Sequence, residues 1–452
     1  MDRATSHPSR RGKWLLWLLT PCLVLAGSAG WLVASTSGLQ WLLGVAERQS
    51  GGDFRANGIS GSLLDAIGMQ QLVLRGDGWR ITLHGAQLQW QPAALLQRKL
   101  NVLDLSARQV DVLSLPSDKP VVLPDSLRLP LDVSVSQVKF DSLRLYSREG
   151  AAPDFAASDV EANFESEARH FQLRALHARL PYGEISGSGE IALDKPYALK
   201  AQAALDAVMQ FSGHSERTHF AADAGGDLQH LVVKLDGKGA GMNFNGTTQL
   251  APFSAVPVSR VQIAFGGMDT RRLFEGAPPA TLSGSIDLHG TPGGILEGSL
   301  QVRNAHAAPL DQNGLPLLGV TAQVRLSASH WQLQQLDVRL PNDGHITGTL
   351  SWEAGSGKGS AQLQVHDLAA SALHTRLPNT RLQGDIALDG ATADLHAVVA
   401  LSDGKLEVQG ELRRQGGQIE LSEMRLTRGE TVLTGHGRLA LDRRRSFRFI
   451  SQ

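Results

Sequence analysis

A single cysteine, Cys22, is all the thiol chemistry the chain holds, so no internal disulfide can form and stability must come from burial and strand pairing. Charge of one sign is lacking as well. With 43 basic against 44 acidic side chains, bulk charge gives no handle on nucleic acid or an anionic surface. Aromatic residues are scarce at 5% while glycines number 48, a balance that favours thin strands and many turns over one massive core. Catalytic and metal-binding constellations are also missing. The fifteen histidines are scattered, with no HExxH, HxH or Cys/His spacing, and are read as solvated or locally hydrogen-bonded side chains. Gly355-Ser356-Gly357-Lys358-Gly359-Ser360 only superficially resembles a phosphate loop: Trp352 stands in place of the leading glycine, and Gly359 follows the lysine where Ser or Thr would hold magnesium. It is read as a hairpin loop. Gly187-Ser188-Gly189 and Gly435-His436-Gly437 lack the third glycine of a dinucleotide site. Asp287, Asp385 and Asp389 alternate with apolar residues, which puts them on the solvent face of a sheet and pairs none of them as acid and base. These absences argue against an enzyme and leave no cofactor or metal site to assign.

What is present begins with one long apolar run. No charged residue occurs from Trp14 to Ala46, and residues 14–34 have the length of helix needed to cross a hydrocarbon layer of about 30 Å. Arg3, Arg10, Arg11 and Lys13 precede it, while Glu47, Arg48, Asp53 and Arg55 behind it are balanced, so residues 1–13 are expected to stay cytoplasmic and the remainder to be exported. Trp14, Leu18, Leu25 and Trp31 mark this anchor. A cleaved signal peptide is the competing reading, because Gly27-Ser28-Ala29 and Ala34-Ser35-Thr36 are small-residue stretches, but the apolar run outlasts the usual core of about 7–15 residues. A lipoprotein signal is disfavoured by Pro21 before Cys22.

After the run, Leu39, Leu42, Leu43 and Ala46 keep helical spacing and predict a short helix near the membrane surface, within a linker at 35–58. The period then changes to two. Leu72 and Leu74, then Trp79, Ile81 and Leu83, alternate with polar residues, and the parity shifts across Gly85 to Ala86, Leu88 and Trp90, as a β-bulge at a glycine would produce. Helical spacing returns only around Pro92–Arg98, Asp269–Phe274 and Leu368–Leu373.

Two sets of internal repeats organise the rest. Residues 261–290 align without gaps on 361–390, matching Gln262, Leu273, Pro278, Leu282, Gly284, Ile286, Leu288 and Gly290 with residues one hundred positions on, and each copy reads strand, short helix, strand. A second unit starts at Phe171, Trp331 and Ile419, passing each time through a turn into an apolar-x-Gly-x-apolar-x-apolar strand.

Ile59-Ser60-Gly61-Ser62-Leu63-Leu64, the strand pieces Leu72-Val73-Leu74 and Trp79-Arg80-Ile81, Leu88-Gln89-Trp90, and Leu95-Leu96 before Leu100-Asn101-Val102 follow one another after the anchor in an order that resembles the start of the TamB family. The repeats from Phe171 onward are similar to those of the wider AsmA-like, bridge-like lipid-transfer superfamily. The resemblance implies a mainly β fold: an N-terminal transmembrane helix, then an elongated, repetitive, curved β-groove (a β-taco) with a few short helices. It implies an N-terminal β-region at 59–200 and repeated groove units at 201–442, the copies 261–290 and 361–390 being equivalent. It also implies a single-pass protein of the bacterial inner membrane, mostly periplasmic, that carries phospholipids toward the outer membrane, with the outer-membrane barrel protein TamA as partner. The chain departs from that pattern at 443–452, a basic tail with Arg443-Arg444-Arg445, which points to an N-terminal fragment whose TamA-binding region is absent.

Ile81, Leu83, Ile286, Leu288, Ile386 and Leu388 are the candidate groove lining, each with plain core packing as the alternative. Roughly 35–40 strands at about 4.8 Å spacing would fit the chain length. A β-solenoid or a row of β-sandwiches is the fold alternative. The functional alternative is a scaffold or chaperone offering strand edges to outer-membrane proteins such as autotransporters.

Overall fold

The computed structural model describes residues 30–114, 123, 125–128, 131–167, 169–211, 214–273, 277–391, 393–440 and 447–451. They are mainly β, as the alternation predicts, and fall into two units that meet in sequence at Tyr197 and Ala198. Trp14, Leu18 and Leu25 lie outside the described residues. Trp31 belongs to helical residues 30–34 and is 47% exposed. Among the described residues no helix is long and apolar enough to cross a membrane.

The first unit opens with the helix Thr36–Gln49 at the predicted place. Ser35 caps it, its Oγ accepting from the Gly38 N–H at 3.0 Å, and Gly38 and Leu39 form the buried side. Ten strands follow: β1 (Phe54–Asn57), β2 (Ser60–Gly61), β3 (Ile67–Gly76), β4 (Trp79–Gln91), β5 (Lys99–Ala107), β6 (Gln109–Ser114), β7 (Asp132–Tyr146), β8 (Phe155–Glu167), β9 (His170–Leu180) and β10 (Gly183–Ala192). Asp77-Gly78 makes the two-residue turn between β3 and β4. β5 and β6 both pair antiparallel with β4 and parallel with β7, broken only at Arg108. The 3-10 turn Pro92–Gln97 occupies the predicted Leu-Leu helix.

The parity shift at Gly85 is real but is not a bulge. Met69 pairs with Ala86 and Gln71 with His84, so no residue is inserted against β3. Gly85 instead takes a left-handed φ of 64°, and the strand rolls over there, moving its apolar residues from odd to even positions.

The second unit is an up-and-down meander of seventeen strands, each antiparallel to the next: β11 (Ala198–Phe211), β12 (His214–Asp227), β13 (Leu231–Gly239), β14 (Met242–Leu250), β15 (Val258–Asp269), β16 (Thr281–Thr291), β17 (Ile295–Asn304), β18 (Gly319–Leu326), β19 (His330–Arg339), β20 (His345–Glu353), β21 (Lys358–Leu368), β22 (Leu382–Ala391), β23 (Asp394–Ser402), β24 (Leu406–Gln415), β25 (Gln418–Arg428), β26 (Thr431–Ala440) and β27 (Phe447–Ser451). The described total of 27 falls short of the expected strand number because strands reach 13 to 15 residues in β4, β7, β8, β11 and β12.

The hundred-residue repeat holds pair by pair. Val261–Leu288, Ile263–Ile286 and Phe265–Gly284 recur as Ala361–Leu388, Leu363–Ile386 and Val365–Gly384. Both copies then bulge before pairing Met268–Leu282 and Leu368–Leu382, with Gly267 and Asp367 left-handed at φ 72° and 50°. The short helices Thr270–Leu273 and Ala370–Leu373 follow as predicted. A buried hydroxyl ties each bulge to the returning strand from opposite sides. Thr270 Oγ1 accepts from the Ala280 N–H at 2.9 Å in one copy, and Thr380 Oγ1 accepts from the Ala370 N–H at 3.0 Å in the other. The threefold unit also has a common structure: the hairpins β9–β10, β19–β20 and β25–β26 all bulge where Leu176, Leu336 and Met424 face Gly187, Gly348 and Gly435.

Candidate apolar binding face

Strict alternation makes each sheet two-sided, and the registers show what lines up across it. In the second unit Ile263 pairs with Ile286, Ile286 with Leu300 and Leu300 with Ala322. Beyond the β19 bulge the same row resumes as Leu336, Gly348, Leu363, Ile386 and Val399. Two residues along each strand lies a parallel row: Val261, Leu288, Gly298, Val324, Leu333 and Leu350, then Ala361 and Leu388. A third row, two residues the other way, carries Val302, Val320, Val338, Ile346 and Val365. Rows one residue out of phase are polar instead, for example Ser285, Gln301, Thr321, Asp337, Thr347 and Gln364. One face is therefore continuously apolar across hydrogen-bonded strands that are hundreds of atoms apart along the chain.

All six residues singled out from sequence lie on such rows. Ile286 and Ile386 share one row, and Leu288 and Leu388 share the next. In the first unit Ile81 sits between Leu74 and Val112, and Leu83 between Leu72 and Val110. Their surroundings differ. Leu83 and Leu288 are buried at 8% and 4%, whereas Ile81, Ile286, Ile386 and Leu388 stay half-buried. Leu83 belongs to a packed cluster with Ala86, Ala107 and Val110, and Ile386 touches one built from Leu340, Val365, Leu368 and Leu382. Leu83 and Leu288 are thus covered, while Ile286 and Leu388 keep part of their apolar surface exposed. Leu350, on the Leu388 row, is 37% exposed. It is not among the lining candidates read from sequence, although its alternation with Thr349 and Ser351 marks it as strand.

The opposite face is laced with exposed ion pairs. Arg260 grips Asp287 through both Nε and a terminal nitrogen at 3.1 and 2.7 Å, and Gln262 adds a third bond. That hydrogen bonding from Arg260 holds the Asp287 carboxyl below the ordinary carboxylate range. Glu411 is lowered in the same way, first by His396 at 3.0 Å and then by Arg413. Such pairs give little stability in water, but they keep this face charged and wet. Among the described residues no group of His, Cys, Asp or Glu could hold a metal ion. The resemblance of Gly355–Ser360 to a phosphate loop dissolves: residues 354–357 form the β20–β21 hairpin turn, closed by the Gly357 N–H donating to the Glu353 carbonyl at 2.9 Å.

A two-faced, repetitive meander is compatible with the β-groove that the sequence resemblance implied, and one comparison with known families bears on it. Residues 115–259 match the family model described as TamB, N-terminal domain. The chain carries a TamB N-terminal domain. The TamB match takes in the strands from β7 to β14 and the Phe171 copy of the threefold repeat. It does not include the Ile59–Val102 stretch that carries the resemblance, nor the hundred-residue repeat. No curated protein and no solved structure matches the chain.

Proposed function

We propose that the chain is a membrane-tethered, non-enzymatic carrier of phospholipid, whose acyl tails lie on the apolar face of the meander while headgroups stay in water. The observation that carries this reading is the unbroken register of apolar rows, with Ile286, Leu300, Leu363 and Leu388 all left half-buried. An apolar face of this extent needs a cover, and each acyl methylene laid on it contributes about 0.8 kcal/mol. The match of residues 115–259 to the TamB N-terminal domain supports the same reading.

The tether is assigned to residues 14–34, with residues 1–13 cytoplasmic, 35–58 at the membrane, and 59–200 and 201–442 as periplasmic β-regions that bridge from the inner toward the outer membrane. TamA is the proposed protein partner. A photo-crosslinking residue at Leu388, which is better exposed than Leu288, is expected to capture phospholipid in cells. Capture of nascent barrel proteins in place of lipid would favour the chaperone reading instead.

A further inference from the structure

The two rims of the second unit, where strands turn, are unlike. On one rim the three longest connections gather: those joining β15 to β16, β17 to β18, and β21 to β22. They close over the ends of the apolar rows. Leu340, Val365, Leu368 and Leu382 are buried there, with Leu373 of the short helix packed on them. Two of these connections are also strapped together past the β19–β20 hairpin. Asp311 accepts from the Thr375 N–H at 3.0 Å and from the Thr375 hydroxyl, and His374 Nδ1 lies 3.7 Å from the same carboxylate.

The other rim is bare. From β16 to β25 its turns are tight hairpins, the longest being residues 354–357. Here the outermost apolar row carries two cross-paired tryptophans, Trp331 and Trp352, flanked by Leu326 on one side and Gly359 on the other. Trp331 is 48% exposed near the start of β19, whereas Leu340, just past the other end of that strand, is 7% exposed. A Cβ on Gly359 would meet the Trp352 ring at 2.7 Å, so that indole lies over the neighbouring strand. The last paired row beyond them is polar and of both signs: His330, Glu353 and Lys358.

An indole prefers the boundary between hydrocarbon and water, where its body is apolar and its N–H is hydrated. We propose that the hairpin rim is the headgroup side of the face, that Trp331 and Trp352 form the subsite for the glycerol-ester region of a phospholipid, and that acyl tails point to the strapped rim. This assignment rests on the lipid-carrier reading and gives it a direction. The Trp331 row and the Val338 row are separated by about 20 Å of strand, at about 3.3 Å per residue. Two ends of one lipid are therefore resolvable.

The test uses the full chain purified from membranes and reconstituted with either of two probes: a phosphatidylethanolamine carrying a diazirine on its headgroup, or one carrying it at the end of an acyl chain. Residue-level mass spectrometry then maps the adducts. Headgroup adducts are expected severalfold enriched at Trp331, Trp352 and Lys358, and tail-end adducts at Val338, Ile346 or Leu373. Reversed or uniform labelling of the two rims overturns the orientation while leaving the apolar face as a lipid site. Absence of adducts from every apolar row with both probes overturns the carrier reading as well.

Discussion

Leu368 and Leu388 are the same residue type on neighbouring strands, yet they do different work. Leu368 is 6% exposed within the Leu340–Val365–Leu382 cluster, whereas Leu388 is half-buried on an open row. Leu368→Ala is expected to cost about 2–5 kcal/mol, because it leaves a cavity among residues that cannot collapse into it. Leu388→Ala should cost clearly less, and urea unfolding of the two variants side by side checks the difference. Sequence alternation placed Leu388 on the apolar side, and Leu368 entered only as the start of the helical spacing at Leu368–Leu373; neither reading carried information on which leucine is covered, since the cover at Leu368 comes from a connection that folds back from the chain beyond it. The pairing of Trp331 with Trp352 was not legible in the sequence for a related reason. Nothing local links two residues on different strands, and only the β19–β20 register makes them partners.

At the scale of elements, glycine positions carry much of the shape. Gly348 has φ 152°, and a Cβ there would lie 2.0 Å from the Gln362 carbonyl oxygen of the adjacent strand. Gly348→Ala is expected to destabilise the β19–β20–β21 region by about 1–3 kcal/mol. Gly355→Ala, where a Cβ would meet nothing within 4 Å, should be neutral. Hydrogen exchange on the two variants checks this, with faster exchange confined to β19–β21 in the first. Element type and repeat equivalence were legible because a hundred-residue offset preserved both the apolar period and the bulge. The Gly85 roll was misread as an inserted residue because a parity change looks the same from one strand whether the chain gains a residue or twists. Strand number was overestimated because turn residues inside long strands, such as Gly225 and Gly226 in β12, do not end them.

For the molecule as a whole, the TamB domain and the mainly β architecture are established, and the anchor, the compartment and the cargo are the proposals built on them. The mainly β class could be read from residues because alternation and glycine turns recur throughout, whereas the TamB resemblance rested on the order of motifs in the Ile59–Val102 stretch and on the repeats from Phe171 onward. The continuous apolar rows could not, since register across seventeen strands is a property of pairing and not of any one segment. The most direct measurement of the central claim is the phospholipid bound per chain after purification, comparing the wild type with Leu388→Arg. A guanidinium on the open row should cut bound lipid about tenfold, the equivalent of losing contact with roughly two methylenes, while circular dichroism stays that of a folded β protein. Equal lipid content in a folded Leu388→Arg variant, or none in the wild type, would contradict the account.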